Sequence, residues 1–222
     1  MKTFSIAIDG PAGAGKSTIA KKLAHLLQCI YVDTGAMYRS VGFYCLNHAI
    51  SLEDEKAVSE ALPHIEINLK HTPEGQRILL NGEDVSEKIR TAEVAASASK
   101  VATYAKVRSA MVERQQEMAK SSSIIMDGRD IGTVVLPFAT LKIFLTASVE
   151  ERAMRRFKEY QEKGISCDLE ELKNEISLRD KQDSERAISP LKKADDAIEL
   201  DTTHMQIDEI VAHIKALLEE RI

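Results

Sequence analysis

A glycine-rich segment near the N-terminus carries residues suited to binding a nucleoside triphosphate. It reads Gly10-Pro11-Ala12-Gly13-Ala14-Gly15-Lys16-Ser17-Thr18 and matches the pattern G-x-x-x-x-G-K-[ST]. In such a loop the backbone N–H groups point inward at phosphate oxygens, and the following helix N-terminus adds positive potential. Lys16 would reach the β- and γ-phosphates, and Ser17 would ligate Mg²⁺. Because a strand, the loop and a helix are predicted in the required order, we favour a phosphate-binding loop over a plain glycine-rich turn.

A second group of polar residues ends the third predicted strand, in the run Met126-Asp127-Gly128-Arg129-Asp130. Parallel α/β sheets bind ligands at the carboxyl ends of their strands, so Arg129 and Asp130 should face the same crevice as the phosphate-binding loop. Asp127 resembles a Walker B carboxylate and is a candidate Mg²⁺ ligand, although it could instead only cap the turn.

The run from Asp33 to Arg39 follows the second predicted strand in the same way. Thr34 can donate a hydrogen bond there. Arg39 can form a forked pair of hydrogen bonds to a phosphate.

A helix is predicted to begin after Asp168, which can act as the N-cap, with Glu171 three residues later completing a capping box. The apolar stripe of this helix also contains charged side chains. The stripe consists of Leu169, Leu172, Ile176, Arg179, Asp183 and Arg186. Burying charges without partners is costly, so the far end of this stripe should line a polar pocket. A purely structural Arg-Asp-Arg network, or a twist that carries the charges to the surface, is the alternative.

Further arginines interrupt two other helical patterns. Arg108 falls where an apolar residue is due between Glu93 and Ala119, and it either lines a pocket or extends to the surface. Arg152, Arg155 and Arg156 lie one helical turn apart after the fourth predicted strand. They could cover transferring phosphates or form a solvated helix face.

Five apolar runs predict the strands that position these residues: 4–8, 30–32, 124–126, 141–146 and 197–200. Continuous apolar runs between helical stretches are typical of a parallel sheet covered by helices on both faces, so we expect an α/β fold. The stretch 65–85 instead alternates with period two around the turn signals Thr72–Gly75 and Asn81-Gly82, which predicts a small antiparallel insert. The region from Glu93 to Ala119 reads as helix, in two pieces around Thr103 and Tyr104.

The composition narrows the class of protein. Its 222 residues correspond to about one and a half domains of about 150 residues. A formal charge of -5 gives no global attraction to nucleic acid or to an anionic membrane. The three cysteines have no spacing typical of a disulfide framework or a zinc site, and the N-terminal apolar run is too short for a signal peptide. We expect a cytoplasmic protein with no membrane or nucleic-acid partner.

A phosphate-binding loop alone does not distinguish kinases from GTPases and transport ATPases. The sequence has no N-K-x-D run to read guanine and no L-S-G-G-Q-like cassette signature. With the small size and the additional arginines, this favours phosphoryl transfer to a small acceptor.

These motifs together resemble bacterial-type cytidylate kinases, in the nucleoside monophosphate kinase group. The resemblance covers essentially the whole chain, and the segments that carry it are 8–18, 33–39, 84–91, 127–135 and 179–186. Its specific parts are the run D-G-R-D-I-G-T-V-V and the spacing R-x-x-x-D-x-x-R. The resemblance implies a five-stranded parallel P-loop core (1–35, 106–150 and 168–222), a monophosphate-binding insert with a small β-sheet (36–105) and an arginine-bearing lid (151–167).

The resemblance also implies roles for individual residues. Ser99, Arg108 and Asp130 would read cytosine, Arg179 and Asp183 would hold the ribose, and Arg39, Arg129 and Arg186 would hold phosphates. A carboxylate at Asp130 would accept a hydrogen bond from the cytosine N4 amino group and repel the O4 of uracil. Thr34 stands where the family often has serine, and it keeps the hydroxyl. Arg152 and Arg156 of the lid would contact ATP.

The predicted reaction is therefore transfer of the γ-phosphoryl group of ATP, with Mg²⁺, to CMP or dCMP. The acceptor phosphate oxygen is already ionised and needs no general base, so Lys16, Arg39, Arg129 and Arg186 would act by positioning and charge neutralisation. We expect a monomer. The alternatives are a P-loop kinase for another small acceptor, such as UMP or shikimate, and a nucleotide-switched binding protein.

Overall fold

The structure is a computed structural model, and it describes residues 3–72 and 75–222. The chain divides into two compact units. We call Met1–Tyr31 with Ser121–Ile222 the core unit, and Val32–Lys120 the insert unit. The elements, in chain order, are β1 (Ser5–Asp9), α1 (Lys16–Leu27), β2 (Ile30–Asp33), α2 (Thr34–Asn47), α3 (Glu55–Ala61), β3 (Ile67–Thr72), β4 (Gly75–Leu80), β5 (Glu83–Asp84), α4 (Ala92–Val101), α5 (Ala105–Met118), β6 (Ile124–Gly128), β7 (Leu141–Thr146), α6 (Val149–Glu162), α7 (Leu169–Glu185), β8 (Ile198–Asp201) and α8 (Ile207–Glu219).

A five-stranded parallel sheet in the order β2-β6-β1-β7-β8 forms the centre of the fold, as the apolar runs predict. Its central strands are buried because both faces carry apolar side chains; Ile6, Ile8 and Ile125 are fully covered. Ile19 of α1 and Ile214 of α8 pack into the same cluster. Each fully buried side chain of this kind stabilises the folded state by about 1.5–3 kcal/mol relative to leaving it exposed. This packing fixes the strand ends from which the site residues project.

The insert unit contains the predicted antiparallel sheet, in the order β3-β4-β5. Asn81 and Gly82 connect β4 to β5 with φ values of 50° and 84°, the left-handed geometry for which this residue pair is favoured. The other predicted turn, Thr72–Gly75, includes Pro73 and Glu74, which lie outside the described residues.

The helical region of the insert unit is divided in two, as predicted. α4 ends at Val101, and Tyr104 adopts an extended conformation before α5 begins. α2 packs closely on α4, where a Cβ on Gly42 would come within 2.1 Å of the Ser97 hydroxyl. The insert unit extends to Lys120, whereas the sequence places 106–120 in the core.

Within the described part of the chain, no helix combines the length and the apolar character needed to cross a membrane.

Candidate functional site

The phosphate-binding loop connects β1 to α1 in the core unit, as predicted. Gly10 has φ of 147°, and a Cβ there would lie 2.1 Å from the carbonyl oxygen of Leu145, so the loop can approach β7 only with glycine. Gly15 is the N-cap of α1 in the left-handed conformation. Since glycine has no side chain to cap the helix, the first N–H groups of α1 stay available for an anion.

Lys16 is buried beneath this loop, with 6% of its surface exposed. Its Nζ donates a hydrogen bond to the carbonyl oxygen of Pro11 at 2.6 Å. Burial, and then the nearby Arg129, lower the pKa of Lys16 to about 7, although Asp127 and Asp9 oppose the shift. A phosphate at the loop would supply the negative charge that this lysine needs to stay ionised.

Ser17 and Asp127 form an oxygen-rich pair next to Lys16. The Ser17 hydroxyl donates to Oδ2 of Asp127 at 2.8 Å, and the Tyr31 hydroxyl donates to Oδ1 at 2.7 Å. Asp127 is 4% exposed at the end of β6. A hydroxyl and a carboxylate at a triphosphate loop are the donors that Mg²⁺ prefers, so the residues fit this ion.

A cleft of about 1050 Å³ opens beside the phosphate-binding loop within the core unit. Its walls include Thr18, Arg155 and Arg156 of α6, and the segment Thr203–Gln206 that leads into α8. The volume suits a ligand of nucleotide size.

The arginines of α6 occupy two different environments. Arg152 is 4% exposed, and its guanidinium donates to the carbonyl oxygens of Ala147 and Ala12 and to the carboxylate of Asp180, at 2.6–3.0 Å. It therefore holds the phosphate-binding loop against α7. Arg152 and Arg156 both line the cleft, and Arg156 also donates to the Tyr160 hydroxyl. Because Arg152 is buried, it does not form the solvated helix face that was the alternative in the sequence analysis.

The charged end of the α7 stripe lies in a network with the end of β6. Arg129 Nε donates to Asp183 Oδ2 at 2.7 Å, and Arg186 lies 3.5 Å from Asp130 Oδ1. Burial would raise the pKa of Asp183, but Arg129, Arg179 and Arg186 together lower it. The stripe is continuous, because Leu172 and Ile176 are buried and α7 ends just before Arg186. The core unit thus concentrates three arginines around two carboxylates at the carboxyl edge of its sheet.

The insert unit holds the other predicted substrate residues. Arg39 pairs with Asp33 at 2.9 Å, and Thr34 is buried in the first turn of α2. Arg108 is 3% exposed, so it does not extend to the surface as an amphipathic arginine would. Its guanidinium carbon lies 5.6 Å from the Tyr38 ring centroid. Ser99 donates from its hydroxyl to the Ala95 carbonyl oxygen at 3.3 Å.

Three residues of these networks have no role in the sequence prediction: Asp9, Tyr31 and Tyr38. Asp9 ends β1, and a carboxylate at the carboxyl end of a predicted strand could have been identified from the sequence as a candidate site residue. Tyr31 lies in a run that reads as buried strand, and its hydroxyl contact to Asp127 spans 96 positions in the sequence. Local patterns carry no information about a contact of that separation.

The family model described as Cytidylate kinase matches residues 6–220. The chain belongs to the cytidylate kinase family. A relative named Cytidylate kinase from Anoxybacillus flavithermus is 52% identical over 221 residues, which cover 100% of this chain and 98% of the relative. A relative of the same name from Bacillus cytotoxicus is 53% identical over 221 residues, with the same coverage.

The solved structure of an uncharacterized protein from Eubacterium ventriosum aligns with a TM-score of 0.54 and 13% identity, covering 99% of this chain and 100% of that one. This similarity concerns the fold alone. Membership of the cytidylate kinase family confirms the enzyme class predicted from the sequence, an ATP-dependent phosphotransferase acting on CMP and dCMP.

The lowered pKa of Lys16 predicts a proton linkage for this cytidylate kinase family member. At pH 8 most of Lys16 is neutral, and a bound triphosphate will restore its charge, so ATP binding should take up about one proton per site. At pH 6 the lysine already carries its proton, so the uptake should fall. Calorimetry in buffers of different ionisation enthalpy measures the number of protons taken up for each ATP bound. Lys16→Met should abolish the uptake, and an uptake that is constant between pH 6 and 8 would contradict the assignment.

Proposed function

We propose that the core unit transfers the γ-phosphoryl group of ATP to CMP or dCMP through Lys16 and the arginine network around it. The observation that carries the proposal is a series of contacts: Ser17 of the phosphate-binding loop bonds to Asp127 at 2.8 Å, and Arg129, two residues further along the chain, bonds to Asp183 at 2.7 Å. The phosphate-binding loop and the arginine network therefore share one electrostatic environment. Two phosphate groups held there would each face cations, which is what an in-line transfer between anions requires.

On the donor side, we propose that the backbone of 10–18 and Lys16 bind the triphosphate, and that Arg156 contacts ATP from the cleft. The burial of Lys16 and the uncapped start of α1 support this role. We propose that Arg152, which lines the same cleft, also contacts ATP, and that it fixes the loop through its hydrogen bond to the Ala12 carbonyl oxygen.

On the acceptor side, Arg39, Arg129 and Arg186 are proposed to hold phosphates, and Arg179 and Asp183 to hold the ribose. Asp183 is kept ionised by its arginine neighbours, so it can accept hydrogen bonds from sugar hydroxyls. Thr34 offers a further hydroxyl. Ser99, Arg108 and Asp130 are proposed to read the cytosine edge.

Mg²⁺ is proposed to be held by Ser17, with Asp127 as its second protein partner. When bound with ATP, the ion neutralises charge on the phosphate oxygens. Tyr31 holds one oxygen of Asp127, so the other oxygen faces Ser17.

In this reaction the side chains need only position the two substrates and neutralise the charge on their phosphates. The attacking oxygen belongs to the acceptor phosphate and is ionised near neutral pH, so no side chain must remove a proton. We further propose that 151–167 acts as a lid that excludes water, which would limit loss of ATP to hydrolysis. A monomer in the cytoplasm, with no nucleic-acid or membrane partner, completes the proposal.

A coupled assay of ADP release with CMP, dCMP, UMP and AMP tests the function directly. Turnover should depend on CMP or dCMP and be much lower with UMP and AMP. ADP release without an acceptor should stay near background. Turnover with UMP or AMP but not with CMP or dCMP would overturn the proposal in favour of a different acceptor.

A further inference from the structure

Asp9 makes two hydrogen bonds that connect β1 to the segment after β6. Its Oδ1 accepts from the backbone N–H of Ile131 at 2.8 Å, and its Oδ2 accepts from that of Gly132 at 2.7 Å. Asp9 is 4% exposed and ends β1 just before the phosphate-binding loop. The residues Ile131–Val135 form a single wide helical turn, so the carboxylate of Asp9 caps the start of that turn from another strand.

The residue that would normally provide this cap is Asp130, which stands at the N-cap position of the same turn. Aspartate is among the most favoured N-cap residues, yet the Asp130 side chain makes no capping hydrogen bond. Its carboxylate lies instead 3.5 Å from Arg186. Because Asp9 accepts from the N–H groups of Ile131 and Gly132, the first two donors of the turn do not depend on the Asp130 carboxylate.

Close packing keeps this arrangement in place. A Cβ on Gly132 would lie 3.3 Å from Asp9 Oδ2 and 3.2 Å from Cδ of Lys142. Lys142 is buried along its chain, and its Nζ donates to Asp196 at 2.8 Å. The segment that carries Asp130 therefore lies against both the Asp9 carboxylate and the stem of Lys142.

We propose that Asp9 is a positioning residue for acceptor selectivity, which caps Ile131 and Gly132 so that the Asp130 carboxylate stays directed at the acceptor base. The proposal rests on the proposed role of Asp130 in reading cytosine. The position of Asp9 beside the phosphate-binding loop alone would suggest an effect on ATP binding. The proposal assigns to Asp9 an effect on the selection of the acceptor base.

Asp9→Asn tests the proposal because an amide has one acceptor oxygen and would turn its NH₂ group toward one of the two N–H donors. At pH 7.5 we expect the ratio of kcat/KM for CMP to that for UMP to fall about tenfold. This is the size of effect expected from losing one hydrogen bond to a charged group. Both acceptors use the same ATP, so any effect of the variant on ATP binding cancels in this ratio. Asp196→Asn, which removes the negative charge paired with Lys142, is the matched control and should leave the ratio unchanged.

The wild-type protein provides a second measurement in case the variant does not fold. Burial raises the pKa of Asp9 to about 6, against the two backbone hydrogen bonds, and the charged groups that face it are Asp130 and Lys16. The amide proton resonances of Ile131 and Gly132 should shift with a midpoint near pH 6, and the CMP to UMP ratio should fall over the same range as the pH is lowered. Ionisation of the acceptor phosphates affects both substrates alike and cancels.

The outcomes separate the two proposals. If Asp130→Ala abolishes the preference for CMP but Asp9→Asn leaves it intact, the inference about Asp9 is overturned and the role of Asp130 stands. If Asp130→Ala leaves the preference intact, the base-reading role itself fails, and the inference about Asp9 fails with it. A wild-type ratio that stays constant while the two amide resonances titrate would also overturn the inference.

Discussion

Replacing Arg186 with alanine is expected to lower kcat about 1000-fold while the Kd for ATP changes less than about threefold. Arg186 follows the last residue of α7, and its Nε donates to the Ser189 carbonyl oxygen at 2.6 Å. This bond fixes the guanidinium beside Asp130, in the network that includes Arg129. An arginine held in this way costs little reorganisation when negative charge develops on a transferring phosphoryl group.

Rapid-quench measurement of a single turnover, together with calorimetric ATP binding, separates the chemical step from affinity. Arg186→Lys keeps the charge but loses the planar fork, so its kcat should fall between those of the wild type and the alanine variant. Lys181→Ala, an exposed position on the same helix, is the matched control and should leave kcat unchanged. Equal losses in kcat/KM for both substrates with unchanged kcat would show that Arg186 contributes only to ground-state binding.

The parts of the fold that the sequence predicted are those encoded in local patterns. Ile6, Ile8 and Ile125 belong to uninterrupted apolar runs, and such runs are stable only where a strand is covered on both faces. The Asn81-Gly82 pair specifies its own backbone geometry, so the hairpin could be identified without tertiary information. Asp168 caps α7 through the N–H groups of Glu170 and Glu171, close to the capping pattern read from the sequence.

The site contacts that the sequence could not predict join distant parts of the chain. Arg152 reads as one of three similar arginines on α6, but its bond to Ala12 spans 140 positions and makes it a support for the phosphate-binding loop. Asp9 reads as the end of a strand, and its bond to Gly132 spans 123 positions. Helical spacing gives the face on which a residue lies, but not the carbonyl or N–H group that another element brings to that face.

The charged stripe on α7 shows what helical spacing alone can predict and what it cannot. The spacing of Arg179, Asp183 and Arg186 on the same face as Leu172 and Ile176 indicated that the charges must find partners. It could not distinguish a ligand pocket from an internal network, and in the core unit Asp183 does bond to Arg129. An internal ion pair and a substrate site are compatible, since a phosphate or ribose can exchange with one partner of the network.

The second large effect expected is a change in acceptor preference when Asp130 is replaced. Asp130 is 5% exposed and lies beside Arg186, so its carboxylate is held with little freedom. Asp130→Ala should lower the ratio of kcat/KM for CMP to that for UMP about 100-fold, mainly through loss of activity with CMP. Asp130→Asn should shift the preference further, because an amide can turn an N–H donor toward the O4 of uracil.

Initial-rate assays with CMP, dCMP, UMP and AMP under identical ATP concentrations measure the ranking. Asp195→Asn, at an exposed position of the core unit, removes one carboxylate without touching the network and should leave the ranking unchanged. Thermal unfolding of each variant checks that the lost activity does not reflect unfolding. An Asp130→Ala variant with lower activity but an unaltered ranking would assign Asp130 to phosphate positioning through Arg186. Recognition of the base would then depend on hydrogen bonds from residues other than this carboxylate, with Arg108 and Ser99 the first to be replaced.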